Sequence, residues 1–210
     1  MKDLLRRLLS IPDGHEGRAA RLIAMIFMMS AATVLLKAAQ SGLFLEAYPR
    51  SAIPWAFAVS AVTLATASSL CVSLSPRLGP ARLASASLLV MIVILLGLRV
   101  CLLSHAAPVR FLTYVLIDAS LGVMIVQVWS TAAAACDART ARRLLPIAGL
   151  GAGTAWTIGG FTVPVLTKWI GAEELLLIAP VLLVGTYVTL RRVVALDVDP
   201  HARRGRRRQG

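Results

Sequence analysis

Within one long apolar run, Ser30, Thr33, Lys37, Gln40 and Ser41 recur at helical steps of three and four, with Ser41 beside Gln40. At 100° per residue they line one polar stripe of a helix, and that stripe must face protein or water. The residue able to do chemistry there is Lys37, because an ammonium in an apolar environment attracts an anion such as a phosphate. The hydroxyls by themselves fit a plainer role, bonding back to their own helix, with the lysine snorkelling outward. Two other ionisable residues interrupt apolar runs, Arg99 and Asp118. Counted along their helices, Lys37 lies about 22 Å and Arg99 about 24 Å from one membrane surface, and Asp118 lies about 10 Å from the other. In a hydrocarbon core about 30 Å thick, all three share one layer. Unpaired charges rarely face lipid, so the sequence predicts a cluster of Lys37, Gln40, Arg99 and Asp118 on a cavity side, or a structural Asp118 to Arg99 pair.

The elements that must position these residues are membrane helices. Of 210 residues 58% are hydrophobic and 15% charged, more apolar surface than one soluble core of that size absorbs. Six segments have the length and composition of spans: Leu22 to Phe44, Ile53 to Leu74, Leu83 to Leu103, Phe111 to Ala135, Leu144 to Trp169 and Leu175 to Leu190. The sixth is short, so Arg191 and Arg192 are expected to snorkel at its end. The fold expected is all-α and polytopic, with an amphipathic segment over 1–21, a six-helix membrane domain over 22–190 and a basic, disordered tail over 191–210. The opening MKDLLRRLLSIPDG reads as an interfacial helix, since Pro12 and Asp13 break any signal-peptide core. The arginine-rich end, HARRGRRRQG, suits anionic lipid better than nucleic acid.

Basic residues set the orientation. Five precede the first span, two and three lie in the second and fourth connections, and seven follow the last span. These 17 of 22 lysines and arginines predict that both termini are cytoplasmic, in a bacterial-type inner membrane. The net charge of +12 is thus mostly a topology signal.

Two connections carry further charge. SPRLGPAR holds Arg77 and Arg82 in a short turn, and CDARTARR holds Asp137, Arg139, Arg142 and Arg143. They read as plain positive-inside loops, or as a cytoplasmic gate in which the arginines pair with Asp137. Immediately afterwards the chain becomes bare: Gly149, Gly151, Gly153, Gly159 and Gly160, with small-xxx-small spacing between Gly149 and Gly153 and between Ala155 and Gly159. Such a helix is expected to pack closely on another through Gly149, Gly153, Gly159 and Gly160. A dinucleotide loop is excluded, since GLGAG lacks the preceding strand, the third glycine and the following acid. Cys71, Cys101 and Cys136 are too dispersed to bridge, and His15, His105 and His201 have no ligand spacing around them. No cofactor, metal site or enzymatic nucleophile is implied.

Three stretches, LLKAAQSGLFLEAYPRSAIPW, QVWSTAAAACDARTARRLLPIAGLGAG and IGAEELLLIAP, resemble the bacterial and plastid ATP/ADP translocase-type nucleotide transporters over residues 19–192. The resemblance implies a major-facilitator-like fold and exchange of nucleotides by alternating access, with Lys37 in the cationic site and Asp137, Arg142 and Arg143 in the cytoplasmic turn. Gln40 and Ser41 stand where many relatives carry an Arg-Asp pair. The length matches only the N-terminal six-span half of such a transporter, which implies a homodimer or a second half as partner. The alternative function is a non-transporting membrane scaffold or regulatory subunit, packed on its partner through the glycine-rich fifth helix.

Overall fold

In lipid a backbone must satisfy its own polar groups, and an apolar chain does so by becoming helical. The computed structural model describes residues 16–104, 106–134 and 138–198, and these form six helices: α1 (Glu16–Ala47), α2 (Ile53–Leu78), α3 (Pro80–Cys101), α4 (Ala107–Ala134), α5 (Ala138–Ile170) and α6 (Leu175–Val198). Short 3₁₀ turns, Arg50–Ala52 and Leu102–Ser104, link α1 to α2 and follow α3. Pro54 and Pro80 sit in first turns, where a missing N–H costs nothing. Between α2 and α3 the chain reverses at Gly79, whose φ of 72° a side chain would strain. Gly171, with φ of 84°, does the same after α5.

Five helical segments are long and apolar enough to cross a membrane: Ala20–Ala47, Arg50–Leu78, Pro80–Ser104, Ala107–Ala134 and Leu175–Val193. The segment expected as the fifth of six spans, Leu144 to Trp169, is not among them. Its glycines, its four threonines and Pro146 and Pro164 dilute the apolar content that defined the other spans. It is nevertheless a 33-residue helix lying along α1. The sixth span, expected over Leu175 to Leu190, is Leu175–Val193 within a helix that runs on to Val198, and α1 extends beyond its span to begin at Glu16. The opening amphipathic segment up to residue 15 and the tail from 199 lie outside the described residues.

α1 is the hub. It packs on α4, α5 and α6, while α2 packs on α4, and α3 packs on α4 and α6. Of the most apolar stretch of α1, 61% is buried, against 6% for α2. Directions follow from facing residues. Gly151 and Gly159 of α5 meet Ile23 and Val34 of α1, so these two run parallel; Gly122 of α4 meets Leu64 of α2, and Phe57 of α2 meets Tyr114 of α4, so these also run parallel. α1 and α4 are antiparallel, with Phe44 beside Phe111 and Lys37 beside Asp118. The principal contacts therefore survive exchange of α1, α2, α3 with α4, α5, α6: α1/α5 becomes α4/α2, α1/α6 becomes α4/α3, and α1/α4 and α3/α6 map onto themselves. The smaller α2/α3 contact does not have an equal counterpart.

Candidate anion site

The polar stripe of α1 lies where the helix meets its neighbours, and its members separate by role. Thr33 is buried and its hydroxyl donates to the carbonyl of Met29 at 2.9 Å, the plainer of the two roles open to it. Lys37 Nζ pairs with Asp118 Oδ1 across the α1/α4 seam. Gln40, one turn on, donates from Nε2 to the same oxygen at 3.3 Å. Steps of three and four put Lys37, Gln40 and Phe44 on the α4-facing side of α1, and that spacing lets one carboxylate serve both polar groups. The Gln40 side chain is only 2% exposed, and its Oε1 has no partner. A buried amide oxygen without a donor is costly, so this atom marks unused acceptor capacity.

Lys37 is not enclosed. Its side chain is 40% exposed and that of Asp118 is 17% exposed. The α1 positions that touch α5, Ile23 and Val34, and those that touch α4, Gln40 and Phe44, bracket Lys37 on the helix surface. Its ammonium consequently opens on the seam between α4 and α5, two helices that barely touch.

Toward the α1/α2 turn, Phe44, Tyr48, Phe111 and Tyr114 close the α1/α4 seam, with Phe44 and Tyr114 centroids 4.9 Å apart. Glu46 and Arg110 pair at 3.5 Å beyond them. The spacing of Phe44 and Tyr48 signals one helix face. Their convergence with the α4 aromatics is a tertiary fact.

Arg99 is not part of this cluster, and neither the expected three-charge layer nor an Asp118 to Arg99 pair forms. Arg99 Nη2 donates to Glu174 Oε1 at 2.7 Å, and Nη1 lies 3.5 Å from Glu173 Oε2. The helix turns Arg99 toward the start of α6 and away from Asp118. Glu173 and Glu174, in the turn after Gly171, are the residues that the charge count overlooked; two adjacent carboxylates just before a span are the signal that would have found them.

The glycines also divide. Gly151, outside the expected packing set, and Gly159, within it, are the close approaches: a Cβ on Gly151 would stand 2.8 Å from the Ile23 carbonyl oxygen, and one on Gly159 2.6 Å from Val34. A Cβ on Gly149, Gly153 or Gly160 would meet nothing within 4 Å among the described residues. The reason is phase: Ala148, Gly151, Ala155 and Gly159 share the α1-facing side of α5, and Gly153 and Gly160 fall on the opposite side. Of the expected gate, Arg77, Arg82 and Arg142 are exposed; Asp137 and the side chains of Arg139 and Arg143 lie outside the described residues.

No family model, curated protein or solved structure matches this chain. What the structure shows is an all-α chain with five helices long and apolar enough to cross a membrane, in which a lysine, a carboxylate and an amide meet within the bundle.

Proposed function

We propose that the chain is a transporter module for an anionic, nucleotide-like solute, one six-helix half of a major-facilitator-like carrier working by alternating access. The observation that carries this is Lys37, a cation part-way along a membrane helix, still 40% exposed after pairing with Asp118. Burying such a charge is expensive, and a membrane protein keeps one chiefly where it faces a pathway. In this reading Lys37 attracts the phosphate, Asp118 holds the ammonium in place when no anion is present, and Gln40 Nε2 steadies that carboxylate. Support for the half-carrier comes from the helix contacts, since exchange of the first three helices with the last three, with α1 and α4 antiparallel, is the pattern of nested inverted repeats. The likeness of the three quoted stretches to ATP/ADP translocase-type proteins supplies the solute class. The proposed orientation has both termini cytoplasmic, and reporter fusions at Ser104 and Gly210 test it: external signal at the first and cytoplasmic signal at the second are expected.

The functional test is nucleotide binding or exchange in proteoliposomes, wild type against Lys37→Gln at equal folded amounts. Gln keeps hydrogen-bonding capacity without the charge. Equal binding by both proteins refutes the assignment of Lys37. A second reading, the membrane scaffold, is favoured by the bare outward face of α5, and it becomes the better one if wild type binds no nucleotide in any assembly.

A further inference from the structure

Phe44 of α1, Ala56 of α2 and Tyr114 of α4 are buried against one another and mark the place where these three helices converge. One turn further into the bundle on each helix, and on the same face because four residues nearly complete a turn, stand Gln40, Ser60 and Asp118. The helix directions make the three level: α1 runs from Gln40 toward the cluster, whereas α2 and α4 run from the cluster to Ser60 and Asp118. Another turn on, Leu36 is buried and Leu64 of α2 lies over Gly122 of α4. A layer of three polar residues is thus held between two apolar layers, each about 6 Å away along the helices.

Two of the three are almost wholly buried with an oxygen left over. Gln40 is 2% exposed and Ser60 1%, and neither Gln40 Oε1 nor Ser60 Oγ has a hydrogen-bond partner among the described residues. A hydroxyl in a membrane helix ordinarily bonds back to its own backbone, as those of Thr63, Ser69 and Ser73 on α2 do. That of Ser60 does not. The bond from Gln40 Nε2 to the Asp118 carboxylate orients the amide, so the atom left over there is the acceptor. Lys37 and Gln40 both bond Asp118 Oδ1, and Oδ2 accepts no bond among the described residues. A carboxylate, an amide and a hydroxyl oxygen therefore share one layer, where unmet polar atoms are costly.

We infer that this layer binds a small monovalent cation of the sodium type, held by Asp118 Oδ2, Gln40 Oε1 and Ser60 Oγ. The donor set is all oxygen, which suits a hard cation and offers nothing to a soft one. Charge selects a monovalent ion. The Lys37 ammonium neutralises Asp118, and its side chain is exposed enough to swing away, so one positive charge can replace another. A divalent ion would leave excess charge between apolar walls. Cation and ammonium compete for one carboxylate, and a bound cation consequently frees Lys37. The inference rests on the proposed function for one consequence alone: the freed Lys37 takes the anion, so cation and anion bind together and each tightens the other.

The test measures binding of radiolabelled sodium ions to the full chain in detergent, with choline replacing sodium at constant ionic strength and nucleotide absent. Wild type is expected to bind saturably. Lys37→Gln should bind sodium about tenfold more tightly, because the competing ammonium is gone while the three oxygens remain. Ser60→Ala should bind about fivefold more weakly, and Asp118→Asn should not bind. Ser60→Ala deletes a hydroxyl that lacks a partner, so without sodium its unfolding temperature should equal or exceed that of wild type, which separates lost ligation from lost folding. No saturable binding by wild type, as when water alone fills the layer, overturns the inference. So does binding that ignores Ser60→Ala, or binding by Lys37→Gln no tighter than that of wild type. Nucleotide affinity is then compared with and without sodium; it should be higher with sodium, and equal affinity in a chain that binds both overturns the coupling. A chain that binds sodium but no nucleotide leaves the cation site standing and removes the transport reading, whereas one that binds nucleotide but no sodium does the reverse.

Discussion

Lys37 and Arg99 invite comparison, because each is a cation in an apolar helix and each was placed at nearly the same depth by counting residues. Their surroundings make them opposites. Lys37 has one carboxylate and one amide, so its cluster sums to zero and its ammonium stays partly open. Arg99 is 19% exposed and faces two carboxylates, so its cluster carries net charge −1. An anion entering the first exchanges one negative partner for another; an anion approaching the second meets repulsion. The lesson is that a buried cation reports on function only after its partners are counted, since pairing perturbs structural and functional groups alike.

The most damaging way to test this contrast is Lys37→Gln. If Lys37 holds phosphate, affinity for nucleotide should fall about tenfold to a hundredfold, the equivalent of the about 1.5–3 kcal/mol of a charged hydrogen bond. The same change leaves Asp118 without its cation, and stability should fall by up to about 3 kcal/mol, read as a lower unfolding temperature in detergent. Adding Asp118→Asn should restore the temperature without restoring the affinity; recovery of both would show that Lys37 serves structure only.

Next in size is the wall beside Lys37. Gly151→Ala forces α5 away from the Ile23 carbonyl and should cost about 1–3 kcal/mol. Gly153→Ala, on the other side of the same helix, should cost nothing and raise intrinsic helix stability by up to about 1 kcal/mol. Equal effects at the two positions would contradict the observed phase of α5.

Arg99→Gln is expected to cost only about 1–2 kcal/mol, because Glu174 is 41% exposed and water can take over its hydration. Nucleotide affinity should stay within about twofold, below the about 0.6 kcal/mol that thermal scatter represents, and a larger drop would break the contrast drawn here. The smallest effect belongs to Gly171→Ala, which strains the turn presenting Glu173 and Glu174 by about 1 kcal/mol and should leave binding unchanged.

Much of the architecture was legible before any coordinate. Hydrophobic length and flanking charge located the first four spans to within a few residues, because transfer of an apolar run into lipid depends on composition rather than on neighbours. The fifth helix escaped that measure: its glycines and threonines lower its apolar content, yet two of those glycines, Gly151 and Gly159, are what fit it against α1. The last span was located equally well, Leu175 to Leu190 against Leu175–Val193, and its helix continues to Val198 because arginine stops a span without stopping a helix.

The site divides in the same manner. Periodicity alone placed Lys37 and Gln40 on one stripe, since positions three residues apart share a helix face whatever surrounds them. Depth alone brought Asp118 level with them. Rotation of one helix against another is not encoded in any local period, and it decided the rest: Asp118 faces Lys37, Arg99 turns to Glu173 and Glu174, and Gly151 rather than Gly153 touches α1. Local spacing fixes the face a residue occupies, but only the packing of all six helices selects what that face meets.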